Sequence, residues 1–250
     1  MPCDLAPLGT LTPNWQWESR PEFTVQCGHP ARMVLNTAHR LKVSLVVLGP
    51  HGNSTFVDAV SGTITQRVLG AAACPVLIAH QEMQGPYRQV LVALDGAPSA
   101  DGIVHAVESL GLTRESLATV VHAHEPPYVG LMNIVGVGGI DAAAAHADIS
   151  RAQAATNIRN LLGTYSDDAS LYEVVVVEHR PATAILGIVD RLKPDLLVLG
   201  TRGHGRFRRA LLGSVANEVM SAVHCDVLLV PERVGRVSRA VRGAVAHAAT

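Results

Sequence analysis

The sequence predicts an α/β fold, a doubly wound parallel sheet with helices on both faces. Between residues 88 and 232, five apolar strand-like runs alternate with four helical segments, the order typical of a parallel sheet. Hydrophobic residues make up 48% of the chain but aromatic residues only 4%. Ala, Val and Leu therefore supply the packing, as in sheets covered by Ala-rich helices. An internal repeat, offset by 151 residues, relates the first part of the chain to its last part.

The individual elements follow from hydrophobic periodicity and from the positions of glycine and proline. Strands are predicted at 43–49, 74–78, 88–96, 116–123, 171–178, 195–200 and 226–230, with a further short strand at Glu22–Cys27. Helices are predicted at 30–42, 63–73, 99–110, 141–162, 181–193 and 213–223. We expect an irregular segment over 1–21, a partial domain over 22–80, a linker over 81–87, a complete domain over 88–232 and a basic tail over 233–250.

The composition excludes several classes of protein. With 250 residues, of which 16% are charged, the chain is globular rather than disordered and long enough for one large or two ordinary domains. A net charge of -1 argues against a general nucleic-acid binder, whose affinity comes from neutralising phosphates. No apolar run approaches the ~20 residues that span a bilayer. The N-terminus lacks the pattern of a signal peptide, so we expect a cytoplasmic protein.

The repeat aligns residues 22–80 with the second half of the complete domain without a gap. The aligned pairs are Pro30 with Pro181, Gly49 with Gly200, Gly62 with Gly213, and Cys74 with Cys225. The first copy therefore lacks its front half, and we predict a degenerate or truncated domain. Three outcomes for its strands are open: they extend the sheet of the second copy, they pair with another chain, or the protein begins earlier.

The four cysteines are predicted to be reduced and structural. Cys3, Cys27, Cys74 and Cys225 form no CxxC pair and no metal-binding spacing. Both aligned cysteines directly precede an apolar strand, so packing explains them better than reactivity.

One stretch near the end of the chain has the order of a phosphate site. An apolar run stops at Gly200, a loop rich in Gly and Arg follows, and Gly213-Ser214 opens a helix. Glycine lets backbone N–H groups close on an anion, and a helix N-terminus adds donors and a positive dipole end. The alternative is an ordinary strand-to-helix turn with solvated arginines.

Both copies carry the pattern Gly-x2-Gly-x9-Gly-Ser/Thr. It comprises Gly49, Gly52, Gly62 and Thr63 in the first copy and Gly200, Gly203, Gly213 and Ser214 in the second. This spacing resembles the ATP-binding signature of the universal stress protein family. The strand that ends in Asp95 and the strand end at Val121-His122-Ala123 also resemble that family. The resemblance covers residues 86–232 as a whole domain and 22–80 as a partial one.

The resemblance implies a flavodoxin-like fold, a parallel five-stranded sheet in the order 3-2-1-4-5, preceded by a partial second copy. It places a nucleotide, ATP or AMP, at the carboxyl ends of strands one and four, with Mg²⁺ accompanying ATP. It also implies a homodimer, or pairing of the two copies within one chain, through strand five. The family acts in stress adaptation through nucleotide-dependent binding or regulation rather than through a defined reaction.

The resemblance assigns the nucleotide contacts to eleven residues of the second copy. Asp95 accepts hydrogen bonds from ribose hydroxyls, and Ala123 meets adenine through its backbone. Glycines at 200 and 203 allow close backbone approach, and Ser214 both caps the helix and bonds phosphate. Arg202, His204 and Arg206 supply charge-assisted hydrogen bonds to phosphate. Gly205 in the loop, and Gly213 and Val215 at the helix start, complete the site.

The first copy and the tail are expected to play no part in this site. The loop from Gly49 to Thr63 has no arginine, carries Asp58, and loses one N–H donor at Pro50, so we predict that it does not bind ATP. Arginines recur every third residue over 233–242, which indicates a solvated basic tail rather than a membrane or nucleic-acid contact.

Two other functions remain open. The first is an interaction module of the same fold that no longer binds nucleotide. The second is an enzyme of a related adenine-nucleotide fold, such as an ATP pyrophosphatase-type ligase, but this reading needs an acceptor-substrate site that we do not find. We find no catalytic motif either, so any turnover is expected to be at most slow ATP hydrolysis.

Overall fold

The computed structural model describes residues 24–49, 63–80, 85–96, 99–114, 116–123, 140–166, 168–201 and 212–232. The helices are α1 (Pro30–Leu41), α2 (Thr63–Ala71), α3 (Ser99–Ser109), α4 (Ile140–Tyr165), α5 (Pro181–Leu192) and α6 (Ser214–Met220). The strands are β1 (Val46–Leu48), β2 (Val76–Ile78), β3 (Gln89–Ala93), β4 (Leu117–Ala123), β5 (Tyr172–Val177), β6 (Leu196–Gly200) and β7 (Asp226–Val230). A short 3₁₀ turn, Ala169–Leu171, precedes β5.

The described strands form one seven-stranded sheet in the order β1-β2-β7-β6-β3-β4-β5. The five strands of the second copy run parallel, and β3 lies between β4 and β6. Counted within that copy the order is 3-2-1-4-5, so the predicted flavodoxin-like α/β fold is confirmed.

The two copies join through their last strands. β2 pairs with β7, and this pair is antiparallel whereas the other pairs in the sheet are parallel. Leu77 lies opposite Leu228, and Val76 lies opposite Leu229. Of the three outcomes left open by the sequence, the structure therefore shows the first: the partial copy extends the sheet of the complete one.

Each face of the sheet carries its own hydrophobic core. One core joins the inner sides of α1, α2, α5 and α6 to the sheet, with Val68, Ile185 and Val219 among its members. The other joins α3 and α4 to the opposite face, through residues such as Ile103 and Ile158. Among the helices that the structure describes, none has the length and apolar character needed to cross a membrane.

The repeat is visible in the backbone as well as in the sequence. Shifting Pro30–Leu41 by 151 residues gives Pro181–Leu192, the bounds of α5. Both helices end at a lysine in the left-handed conformation, Lys42 with φ 50° and Lys193 with φ 48°. The two helices therefore end in the same way.

The strand predicted at Glu22–Cys27 is wrong over its described part, since residues 24–27 are not in a strand. A strand needs a neighbour for its backbone N–H and C=O groups. In the complete copy the equivalent strand β5 pairs with β4, and residues 24–27 have no such neighbour in the described sheet. Residues 22 and 23, the loop at 50–62, the segment 1–21 and the tail at 233–250 lie outside the described residues.

Candidate functional site

Three predicted site residues lie where neighbouring strands end. Asp95 comes two residues after β3, Ala123 is the last residue of β4, and Gly200 is the last residue of β6. Because β3 pairs in parallel with both β4 and β6, these three strand ends share one edge of the sheet. The chain runs from β3 to β4 and β5 on one side, and then crosses back to β6 on the other side of β3. The edge beside β3 is therefore the switch point where open α/β sheets bind ligands.

The turn after β3 is held by a histidine from β4. The Leu94 N–H donates to the Val121 carbonyl at 3.0 Å, which continues the strand pairing. The His122 Nδ1 lies 2.8 Å from the Leu94 carbonyl and donates to it, since a carbonyl oxygen only accepts. Gly96 has φ +71°, and a Cβ placed there would lie 3.3 Å from Cε1 of His122. A side chain at this position would therefore press against the histidine ring, which together with the positive φ favours glycine.

The two ends of the loop after β6 are hydrogen-bonded to each other at Thr201. The buried Thr201 donates its N–H to the Val230 carbonyl at 2.9 Å and accepts the Gly213 N–H on its own carbonyl at 2.8 Å. Both ends of the intervening loop are thus closed at the carboxyl end of β6. The predicted phosphate contacts at Arg202, Gly203, His204, Gly205 and Arg206 lie outside the described residues and stay predictions.

The helix after this loop begins differently from the prediction. Gly213 is the N-cap, with φ -64° and ψ 152°, and it contributes no side-chain cap. The prediction that Ser214 caps the helix is therefore wrong: Ser214 is the first helical residue and its side chain is exposed. Val215 is partly buried, and its side chain packs against the core.

The described residues do not form a metal site of their own at this edge. Within the described ranges, no three His, Cys, Asp or Glu side chains are grouped so that they could hold a metal ion. The expected Mg²⁺ therefore stays a prediction tied to ATP itself.

Two aspartates that the sequence analysis did not single out organise the opposite edge of the sheet. Asp195 accepts the backbone N–H groups of Arg88 and Gln89 at 2.8 and 2.9 Å, and so holds the start of β3. Asp226 is 3% exposed and accepts the His80 N–H and the Tyr87 hydroxyl, each at 2.7 Å.

The two bonds to Asp226 hold both ends of the segment between the copies. Burial raises the pKa of Tyr87, and the adjacent Asp226 raises it further. Burial lowers the pKa of His80 despite the opposing effect of Asp226. The repeat could have drawn attention to Asp226, because the equivalent position in the first copy is Pro75, which carries no carboxylate.

The first copy places fewer groups at its equivalent edge. β1 ends at Leu48, followed by an exposed Gly49. Beside β1 the described sheet contains no strand equivalent to β3, and hence no carboxylate equivalent to Asp95. The prediction that this copy does not bind ATP stays a prediction.

A groove of about 600 Å³ lies along β5 and α5, apart from the predicted site. Its lining includes Val175, Val177, Thr183, Ile188 and Arg191. Of the predicted nucleotide contacts that the structure describes, none lines it.

Comparison with protein families and curated proteins gives consistent matches. The model of the universal stress protein family matches residues 17–80 and again residues 86–231. A universal stress protein of Mycobacterium tuberculosis is 26% identical over 196 residues, which is 75% of this chain and 62% of that protein. A universal stress protein of Thermus aquaticus is 31% identical over 144 residues, 58% of this chain and 98% of the relative. The chain thus spans less than two thirds of the length of the mycobacterial relative.

Solved structures show the same fold. A functionally unknown protein from Pseudomonas aeruginosa superposes with a TM-score of 0.58 at 16% identity, covering 83% of this chain and 69% of the other. A universal stress protein from Archaeoglobus fulgidus gives a TM-score of 0.51 at 20% identity, covering 81% and 65%.

Proposed function

Because this chain belongs to the universal stress protein family, we propose that its second copy binds an adenine nucleotide, ATP, and acts in stress adaptation through nucleotide-dependent binding of other molecules. One observation carries the proposal: Asp95, Ala123 and Gly200 end neighbouring parallel strands at the switch point of the sheet. The closed neck of the glycine loop lies at the same edge, at Thr201 and Gly213.

The residues at this edge fit the parts of a nucleotide. A carboxylate such as Asp95 accepts hydrogen bonds from the two ribose hydroxyls. Gly96 leaves space beside His122 in the turn after β3, because any side chain at this position would contact the histidine ring. The backbone at the end of β4, around Ala123, offers an N–H and a C=O to the edge of adenine.

The phosphates belong at the glycine loop. Its two ends are fixed by the Thr201 bonds, and its glycines and arginines are suited to backbone and guanidinium contacts with phosphate. The first turn of α6 directs backbone N–H groups to the same side, because the first N–H groups of a helix have no partner within it. Mg²⁺ enters with ATP, bound mainly by the phosphate oxygens.

Isothermal titration calorimetry with ATP tests the proposal. Intact protein should bind with a Kd of about 1–100 µM. Asp95→Ala should weaken binding about 10- to 100-fold, because two hydrogen bonds to a charged acceptor are lost. Gly203→Ala and Ser214→Ala should each weaken it about tenfold. The matched control is Asp190→Ala, which removes an exposed carboxylate on α5 and should leave the Kd unchanged.

The same titration separates the competing functions. If intact protein releases no binding heat with ATP, the proposal fails and the interaction module without nucleotide is favoured. A steady-state assay of ATP hydrolysis covers the enzymatic alternative. Turnover that saturates with an added acceptor substrate would show an enzyme rather than a nucleotide-dependent binder.

A further inference from the structure

The hydrogen-bond ladder between β3 and β4 stops short at the carboxyl end of β3. Its last paired residues are Ala93 and Val121. The Leu94 N–H still donates to the Val121 carbonyl at 3.0 Å. In a regular parallel ladder the Leu94 carbonyl would next accept the N–H that lies two residues beyond Val121, which belongs to Ala123. Among the described residues that backbone bond is not formed.

The ring of His122 takes the place of this ladder bond. Its Nδ1 donates to the Leu94 carbonyl at 2.8 Å, the distance of a full hydrogen bond. The first copy has the regular arrangement at the end of its own parallel pair, where the Leu48 carbonyl accepts the Ala79 N–H at 2.9 Å. The side-chain bond therefore distinguishes the end of the β3–β4 pair from the end of the β1–β2 pair.

Ala123 thereby directs both of its backbone groups into the crevice. Successive residues of a strand point their N–H and C=O groups to opposite neighbours, and the Val121 carbonyl points to β3. Ala123 lies two residues further on and faces the same side, where β3 has already ended. A donor and an acceptor on one residue match the ring acceptor and the amino donor on the Watson–Crick edge of adenine.

The same ring also holds the turn that carries Asp95. The carbonyl that it binds belongs to Leu94, the residue directly before Asp95. Gly96, the residue directly after Asp95, lies against the ring, because a Cβ placed there would be 3.3 Å from Cε1 of His122. His122 therefore fixes the backbone on both sides of the carboxylate.

We propose that His122 is a positioning residue of the nucleotide site and gives the second copy its preference for an adenine ribonucleotide. By occupying the Leu94 carbonyl it keeps the Ala123 N–H available to the base, and by holding the turn it fixes Asp95 for the ribose. The action of His122 on the nucleotide rests on the proposed function, whereas its action on the two strand ends requires no ligand.

Amide hydrogen exchange in the ligand-free full chain, followed residue by residue by NMR, tests the action on the strand ends. In His122→Leu the Leu94 carbonyl loses its side-chain donor and becomes available to the Ala123 N–H, so the ladder closes by one bond. The Ala123 amide should then exchange at least about tenfold more slowly than in the unmodified chain. In His122→Asn the side-chain amide can donate to the same carbonyl, so the original rate should return.

Isothermal titration calorimetry with ATP, 2′-deoxy-ATP and inosine triphosphate tests the action on the nucleotide. The unmodified chain should bind ATP about tenfold more tightly than either analogue. The first analogue lacks a ribose hydroxyl, and the second has a ring donor where adenine has an acceptor. In His122→Leu the preference for ATP over each analogue should fall below about threefold, because both nucleoside contacts are displaced. His122→Asn should restore the preference.

The matched control replaces a histidine outside the crevice. His179 is exposed after β5, and its ring accepts the Arg180 N–H. His179→Leu should leave the exchange of the Ala123 amide and the preference for ATP unchanged. Circular dichroism establishes that each variant is folded.

The outcomes separate the role of His122 from the nucleotide site itself. If the unmodified chain binds no ATP, the proposed function fails, and the selectivity assigned to His122 fails with it. If the unmodified chain binds ATP, the role of His122 alone is contradicted by any of three results. These are an unchanged exchange rate of the Ala123 amide in His122→Leu, an equal loss of affinity for ATP and both analogues in that variant, and a His122→Asn variant that behaves as His122→Leu does.

Discussion

Leu77 and Leu228 occupy equivalent positions in the two copies, 151 residues apart, and lie opposite each other across the antiparallel β2–β7 pair. Val76 therefore faces Leu229 while Ile78 faces Val227, and each pair is the image of the other under the repeat. The join thus has the form of a two-fold interface between identical subunits, made within one chain. It places both copies in one continuous sheet.

The stability of this join depends on its central pair. Leu77→Ala and Leu228→Ala should each lower the free energy of unfolding by about 2–4 kcal/mol, because both leucines are buried and truncation leaves a cavity. The double variant should lose less than the sum, since the two side chains share one site. Urea denaturation measures all three. Additive losses would show that the two residues do not pack as a pair.

Asp226 should contribute as much to the free energy of unfolding as a buried apolar residue does. Asp226→Asn should lower the free energy of unfolding by about 2–3 kcal/mol, because an amide leaves the His80 N–H or the Tyr87 hydroxyl without a charged acceptor. The control is Asp190→Asn, whose exposed ion pair with Lys193 is worth at most about 1 kcal/mol. Equal losses in the two variants, again measured in urea, would contradict the buried role.

The neutral form of His80 should make stability depend on pH. Burial lowers the pKa of His80 in the folded chain, so the unfolded chain binds more protons as the pH falls through the ordinary imidazole range. The free energy of unfolding should therefore decrease as the pH falls from about 7 to about 5. In His80→Gln this part of the pH dependence should be absent. An unchanged pH profile in that variant would assign the effect to other groups.

The cysteines should differ sharply in reactivity. Burial raises the pKa of Cys225 to about 11, and it also raises the pKa of Cys74. Cys27 is exposed, so N-ethylmaleimide at neutral pH should modify it at least about 100-fold faster than Cys225. Peptide mass mapping after timed quenching gives both rates. Comparable rates would mean that β7 opens readily in the native state.

Much of this architecture could be predicted because its elements are strongly patterned. Apolar runs bounded by glycine or charge gave each strand within about three residues of its observed bounds. The matched glycines led to the repeat and the family resemblance, and with them to the strand order. The direction of the β2–β7 pair could not be predicted, because Val76–Ile78 is apolar on both sides and fits either direction.

The errors concern residues whose state depends on distant neighbours. The segment before α1 has a strand-like sequence but no described strand beside it. Ser214 has the residue type of a cap, yet Gly213, whose N–H is bonded to the Thr201 carbonyl, occupies the N-cap position. The role of Asp226 depends on the antiparallel join, which brings His80 and Tyr87 to it across more than 130 residues.

The central claim is that one copy binds nucleotide and the other does not, and native mass spectrometry of the full chain with added ATP and Mg²⁺ tests it most directly. The account predicts one ATP per chain at saturation, retained in Gly52→Ala of the first copy and lost in Asp95→Ala of the second. Two ATP molecules per chain, or one that persists in Asp95→Ala and disappears in Gly52→Ala, would contradict it.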